Sequence, residues 1–181
     1  TESWLEEMLQ LCQQKDVGMA GAKLYYPDDT IQHAGVVVGL GGVAAHVLCK
    51  LPRDAAGYMG RLRCVQEISA VTAACMMVKT SVFKAVGGFD EELKVAFNDI
   101  DLCMKVRKYG VKIIFTPYAE LYHYESKSRG MEDTPEKQLR FSREVNCFRR
   151  KWERELLKGD PYYNPNLTLN NTDCSLRKQE K

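Results

Sequence analysis

The chain lacks a charge excess, a long apolar run and any paired-cysteine pattern. Across 181 residues, 26 Lys and Arg stand against 24 Asp and Glu, a net charge of +2. So even a balance excludes the broad basic footprint of a dedicated nucleic-acid binder, and no nucleic acid is expected as a partner. With 45% hydrophobic and 28% charged residues, the composition is that of a globular domain with a real core, not of a disordered chain. No stretch approaches the ~20 apolar residues needed to cross a bilayer. The opening Thr1-Glu2-Ser3-Trp4-Leu5 carries no initiator methionine and is not a signal peptide; it reads as mid-protein sequence. No internal repeat is visible.

The seven cysteines (Cys12, Cys49, Cys64, Cys75, Cys103, Cys147 and Cys174) are odd in number, and none forms a C-x-x-C pair. They are expected to be reduced, buried small hydrophobes, in keeping with a cytoplasmic setting, and neither a disulfide framework nor a zinc site. Asn166-Leu-Thr168 and Asn170-Asn-Thr172 match the glycosylation acceptor pattern by chance in such a chain. Gly39-Leu-Gly-Gly42 lacks the Gly-Lys-Ser/Thr ending and the following helix of a phosphate loop, and reads as a turn.

What is present alternates. Ser3-x-x-Glu6 predicts a capping box, followed by a helix with the stripe Trp4, Leu5, Met8, Leu9 and Cys12. Apolar runs predict strands over 17–26, 31–38, 65–71, 73–78, 111–115 and 119–124, with a surface loop over 46–63. A short helix capped by Thr80 or Ser81 is closed by Gly87-Gly88, and a second runs from about Asn98 to Tyr109, with Gly110 after it. Thr134-Pro135 opens the last and longest helix, whose apolar face is Phe141, Val145, Phe148, Trp152 and Leu156. Its other face carries Arg140, Arg143, Arg149, Arg150, Lys151 and Arg154. Such a face is ordinarily solvated; peripheral contact with an anionic membrane is the alternative. The pattern predicts an α/β domain over residues 1–130, a long helix over 131–158 and an extended tail over 159–181.

The densest polar constellation is Phe97-Asn98-Asp99-Ile100-Asp101-Leu102, behind the glycine- and acid-rich Gly87-Gly88-Phe89-Asp90-Glu91-Glu92. An acidic helix start is the bland reading, since a carboxylate there accepts backbone N–H bonds and meets the helix dipole. Asp101 lies about 200° round the helix from Asp99, so the two cannot form a close pair in one site. If one is catalytic, the other is structural. His123 follows a strand and leads into Glu125-Ser126-Lys127-Ser128-Arg129, hydroxyls and cations suited to a phosphate group. A lone histidine is usually structural; beside a diphosphate it can instead hold a divalent metal. His33 and His46 have no comparable company in sequence and read as ordinary.

In order, 86–93 (Val-Gly-Gly-Phe-Asp-Glu-Glu-Leu), 98–102 (Asn-Asp-Ile-Asp-Leu) and 117–124 (Pro-Tyr-Ala-Glu-Leu-Tyr-His-Tyr) resemble the family-2 glycosyltransferases, with a GT-A-type fold. The likeness runs over roughly residues 1–170 and is nearest to bacterial transferases of polysaccharide and rhamnan assembly. The tail 160–167 (Asp-Pro-Tyr-Tyr-Asn-Pro-Asn-Leu) is similar to the ends of those domains. The resemblance implies a Rossmann-like domain with a mixed sheet, of which this chain is the C-terminal, acceptor-side half. The family's nucleotide-binding half and its Asp-x-Asp motif would precede Thr1. The family's acidic pair reads Asn98-Asp99 here, which makes Asp99 the catalytic base and leaves the first acid's role without a carboxylate. His123 takes the place of a ligand of a Mg²⁺ or Mn²⁺ ion. Lys127, Ser128 and Arg129 fall in the segment that closes over the donor diphosphate, and Gly88, Phe89 and Asp90 near the acceptor.

The implied reaction is inverting sugar transfer from a nucleotide-diphosphate sugar to a hydroxyl of a glycan or lipid-linked acceptor, at the inner face of the membrane. By itself the chain is expected to be nearly inactive. Two alternatives stand beside this reading: a non-catalytic carbohydrate-binding module derived from such an enzyme, and a module whose basic helix docks on membranes or partners.

Overall fold

A computed structural model describes residues 1–124 and 134–178. The chain is an α/β structure built on strand β1 (Val17–Tyr25), which is buried along its whole length. That is why its sequence is an almost unbroken apolar run: both faces are covered. The even positions Ala20, Ala22 and Leu24 meet Met8 and Cys12 of helix α1 (Trp4–Cys12). Met19 and Tyr25, on the odd positions, join the main core.

Strand β2 (Ile31–His33) pairs antiparallel with the end of β1. A separate two-stranded ribbon follows, β3 (Val36–Val38) with β4 (Ala44–His46). The two-residue strand β5 (Gln66–Glu67) lies antiparallel to a long strand described below, and β6 (Met76–Val78) is antiparallel to the start of β1. Helices α2 (Thr80–Ala85) and α3 (Asn98–Lys108) then lead to β7 (Lys112–Tyr122), which runs parallel to β1 and is its main partner. The main sheet has the order β2-β1-β7-β5, with β6 also on β1, and is therefore mixed. Helices α4 (Pro135–Lys151) and α5 (Glu153–Lys158) close the described chain on the main-core side, where Phe148 and Trp152 are buried.

Several sequence expectations are corrected. Ser3 makes no side-chain cap bond; its carbonyl accepts from the Glu7 N–H, and no capping box forms. The α1 stripe is rotated, with Met8 and Cys12 buried while Leu5 and Leu9 are 46% and 45% exposed. The run 31–38 is two strands, because Gly35 turns the chain at φ +102°. Of 65–71 only two residues form a strand, and Ala73–Cys75 is a 3₁₀ turn in which the Thr72 side chain accepts from the Ala74 N–H. Conversely, 111–115 and 119–124 are one strand running through Pro117. Against Gly21 and Lys23 of β1 stand Phe115 and Glu120 of β7. The extra residues bulge out of the ladder, which spares the proline, with no N–H, from having to donate.

The final helix is broken at Trp152 (φ −114°, ψ 23°), whose buried indole is anchored to Asp101 at 2.8 Å. The start was read correctly: the Thr134 side chain accepts from the Lys137 N–H ahead of Pro135. Lys151 lies on the exposed basic face but is not simply solvated, since it reaches Asp101 at 2.8 Å and also pairs with Asp90. The tail packs on the domain: Asp160 accepts from the Val38 N–H at 2.8 Å, and Tyr163, Leu167 and Cys174 are buried. All seven cysteines are free thiols; Cys64, expected inside, is exposed. Among the described residues no helix is long and apolar enough to cross a membrane.

Candidate functional site

Open α/β sheets present their ligands at the carboxyl ends of parallel strands. Here those ends are Tyr25 of β1 and Tyr122 of β7, in direct register. His123 leaves β7 at this edge, with its N–H donating to the Tyr25 carbonyl at 3.0 Å. A cavity of about 320 Å³ opens beside it, lined by Tyr26, Gln32, His46, Cys49, Thr72 and His123 among others. The ring Nδ1 of His123 lies 2.8 Å from Oε1 of Gln32.

Asp99 approaches from α3. Phe97, in the left-handed region at φ 63°, turns the chain into the helix. Asn98 Oδ1 accepts from the Asp99 N–H at 2.7 Å, and Asp99 Oδ1 from the Ile100 N–H at 2.9 Å. The other carboxylate oxygen of Asp99 accepts from the Ala73 N–H at 3.0 Å. The neighbouring Thr72 N–H donates to Nε2 of His33 at 3.4 Å, and Thr72 itself lines the His123 cavity. Ala73 thus holds Asp99 by its amide, and the adjacent Thr72 lines the histidine cavity.

His33 and His46, read as ordinary from the sequence, belong to this neighbourhood. Their Nδ1 atoms are 3.1 Å apart, and the rings meet edge to face with centroids 4.8 Å apart. His33 is fully buried, and burial, then the nearby His46 and His123, hold its pKa well below the ordinary value. Accepting from Thr72 at Nε2 places the single proton of neutral His33 on Nδ1, toward His46. Sequence spacing had no way to show this, because β2, β4 and the end of β7 meet only in the tertiary fold.

Asp101 faces the opposite way, as the helical angle required. It is fully buried and joins Trp152 Nε1 and Lys151 Nζ at 2.8 Å each and Lys105 Nζ at 3.1 Å. Asp90 is tied into the same network by Lys151, which lowers its carboxyl pKa. The Gly88 carbonyl accepts from Lys105 at 2.6 Å, and Phe89, largely exposed, packs edge-on to Phe83. The 88–90 loop is therefore bound to the Asp101 side of α3, not to the Asp99 carboxylate. Glu144 of α4, buried and unremarked in the sequence, accepts from the Val95 and Ala96 N–H groups at 3.1 and 2.9 Å. It latches the segment that leads into Asp99. Lys127, Ser128 and Arg129 lie outside the described residues.

A second polar cluster sits at the same strand ends. Arg53 reaches Glu120 and Asp29 at 3.2 Å each, and stacks over the Tyr25 ring at 4.3 Å from its centroid. Tyr25 donates to Glu120, and burial followed by that bond raises its phenol pKa. A larger cavity of about 630 Å³ lies by Arg107, Lys112 and Tyr162 at the opposite end of β7. An eleven-residue strand spans about 36 Å, so that cavity is remote from His123.

For a divalent metal, the bond to Gln32 leaves His123 Nε2 as a candidate donor atom. Among the described residues no group of three His, Cys, Asp or Glu side chains is placed to hold a metal. The donor set fits one ligand of a shared site and not a whole one.

No protein-family model and no solved structure matches the chain. The chain is similar to an uncharacterized protein, y4gI, of Sinorhizobium fredii: 58% identical over 174 residues, covering 96% of this chain and 19% of that one. It is 39% identical over 177 residues to the O-antigen biosynthesis protein RfbC of Myxococcus xanthus, covering 97% of this chain and 14% of that one. A 67-residue stretch, 37% of this chain and 22% of its relative, is 34% identical to an N-acetylglucosaminyl-diphospho-decaprenol L-rhamnosyltransferase of Mycobacterium tuberculosis. The chain spans less than a fifth of the length of the first two of these relatives. The names of two of these relatives concern O-antigen biosynthesis and rhamnosyl transfer.

Proposed function

We propose that the chain is the acceptor-side part of an inverting, family-2 glycosyltransferase of GT-A type, acting on a glycan or lipid-linked acceptor. The observation that supports it is the meeting of Asp99 and the His123 cavity at residues 72–73, at the carboxyl ends of the parallel strands. Half-buried and anchored by backbone amides, Asp99 is a fixed carboxylate at a helix start. It takes the proton from the acceptor hydroxyl as that oxygen attacks the anomeric carbon of a nucleotide-diphosphate sugar, a contribution of roughly 10²–10⁴-fold. Asn98 keeps the polypeptide geometry at this position and does not supply a second acid. The 88–90 loop, tied by Lys105 and Lys151 to the Asp101 side of α3, steadies that helix, and an acceptor contact of Gly88, Phe89 or Asp90 rests on the family order alone. Lys127, Ser128 and Arg129 serve the donor diphosphate.

A Mg²⁺ or Mn²⁺ ion, when bound, would neutralise charge developing on the departing diphosphate. His123 Nε2 would be one of its ligands, with oxygen ligands from beyond the described residues.

The test is Asp99→Asn in the whole protein, assayed for sugar transfer and for donor binding. Transfer is expected to fall by at least about 10²-fold while donor binding is kept. Normal turnover would overturn the assignment of the base.

A further inference from the structure

We propose that Gln32 is a positioning residue that fixes the tautomer and ring orientation of His123, keeping Nε2 unprotonated and free to bind a ligand. Gln32 is 4% exposed, so its amide is committed to partners inside the protein. Its Nε2 lies 3.4 Å from the His123 carbonyl, and its Oε1 lies 2.8 Å from the His123 ring Nδ1. These two contacts favour one orientation of the amide. An NH₂ group can face the carbonyl, whereas the amide oxygen there would set two acceptors against each other. The oxygen therefore faces the ring, and its 2.8 Å contact with Nδ1 requires the proton to lie on Nδ1. Neutral His123 then carries its lone pair on Nε2.

Both ends of this contact are held rigidly. The neighbouring Ile31 exchanges backbone bonds of 2.8 Å with Leu51 and Lys50, and the Gln32 carbonyl accepts from Cys49 Sγ at 3.1 Å. The His123 N–H is fixed on Tyr25 of β1. One side chain thus reads both the main chain and the ring of the same histidine. Such an outer contact typically changes metal affinity or activity by 10–100-fold when removed. The catalytic consequence rests on the transferase reading above; the tautomer does not.

The experiment is long-range ¹H–¹⁵N correlation of the imidazole rings, near neutral pH, in the wild-type chain, Gln32→Met and Gln32→Glu. Wild-type His123 is expected as the Nδ1–H tautomer. Gln32→Met, close in volume but without an acceptor, should move the proton to Nε2. Gln32→Glu restores an acceptor for Nδ1 and should hold the proton there, although its second oxygen loses the bond to the His123 carbonyl. In the whole protein Gln32→Met should lower kcat/KM about 10–100-fold, with Gln32→Glu recovering part of it. A proton on Nε2 in the wild type, or an unchanged Nδ1–H in Gln32→Met, overturns the proposal. If Gln32→Met does not fold, the wild-type and Gln32→Glu spectra still decide it. An Asp99→Asn protein with normal turnover defeats the transferase reading and leaves the tautomer result standing, so the two failures are distinguishable.

Discussion

Asp99 and Asp101 sit two residues apart, yet truncating them should have opposite consequences. Asp101→Ala removes a fully buried carboxylate that serves Trp152, Lys151 and Lys105. The indole N–H is left unsatisfied, at about 1–3 kcal/mol, and two ammonium groups lose a partner. Breaking a fully buried ion pair costs about 3–5 kcal/mol. The two lysine side chains are 18% and 33% exposed, and they keep the Gly88 carbonyl and Asp90. Solvent and those partners therefore pull the expected loss to the lower end, about 3 kcal/mol. Asp101→Asn keeps an acceptor for the indole and should lose about 2 kcal/mol. Asp99→Ala frees the Ala73 and Ile100 amides at a half-buried site that water can reach, for about 1 kcal/mol or less. Urea unfolding of the three variants measures this. With a slope near 2 kcal/mol/M, Asp101→Ala should lower the midpoint by about 1.5 M and Asp99→Ala by about 0.5 M at most. If Asp99→Ala proved as destabilising as Asp101→Ala, the division between a structural and a functional face of α3 would be wrong.

Acid should weaken the fold through His33. Its native pKa is depressed by burial, so the unfolded chain takes up a proton below about pH 6.5 that the native state refuses. Stability is then full above that pH and falls as pH drops, by up to about 1.4 kcal/mol per unit, until the native ring titrates. Denaturant titrations between pH 7 and 5 should show this slope, and a His33→Gln variant that kept it undiminished would contradict the assignment. Glu144→Ala should cost about 2 kcal/mol by stranding the Val95 and Ala96 amides, and should disturb the backbone chemical shifts of 97–99 ahead of those in α1. Gly21→Ala should cost about 1–3 kcal/mol, because a Cβ there would stand 2.3 Å from Val71 Cγ1; a thermal midpoint equal to wild type would refute that close approach.

The amino-acid order alone carried the α/β class, the strand expected at 17–26 and found at 17–25, the helix starts at Asn98 and Thr134, and the separation of Asp99 from Asp101. Each is a local matter. Apolar runs, caps, a proline at a first turn and an angle of about 100° per residue are properties of neighbours in the chain. The sequence misjudged what depends on distant partners. It split β7 at Pro117, because the bulge that accommodates the proline exists only against β1. It carried the last helix through Trp152, because the pull of buried Asp101 on the indole comes from a helix about fifty residues earlier. It gave no sign that Lys151, on the exposed basic face, pairs with two carboxylates of distant segments.

The candidate site divides in the same way. Asp99 and His123 stood out by type and by family order. Gln32, His33, His46, Thr72 and Glu144 gave no signal, since each acts through a contact with residues far away in sequence. The chain alone therefore determined which groups have chemistry to offer. The tertiary structure decided which of them share a pocket, which face of α3 is structural, and which nitrogen of His123 is left free. Those outcomes depend on burial and hydrogen-bond partners, and both arise only when the parallel strands bring their ends together.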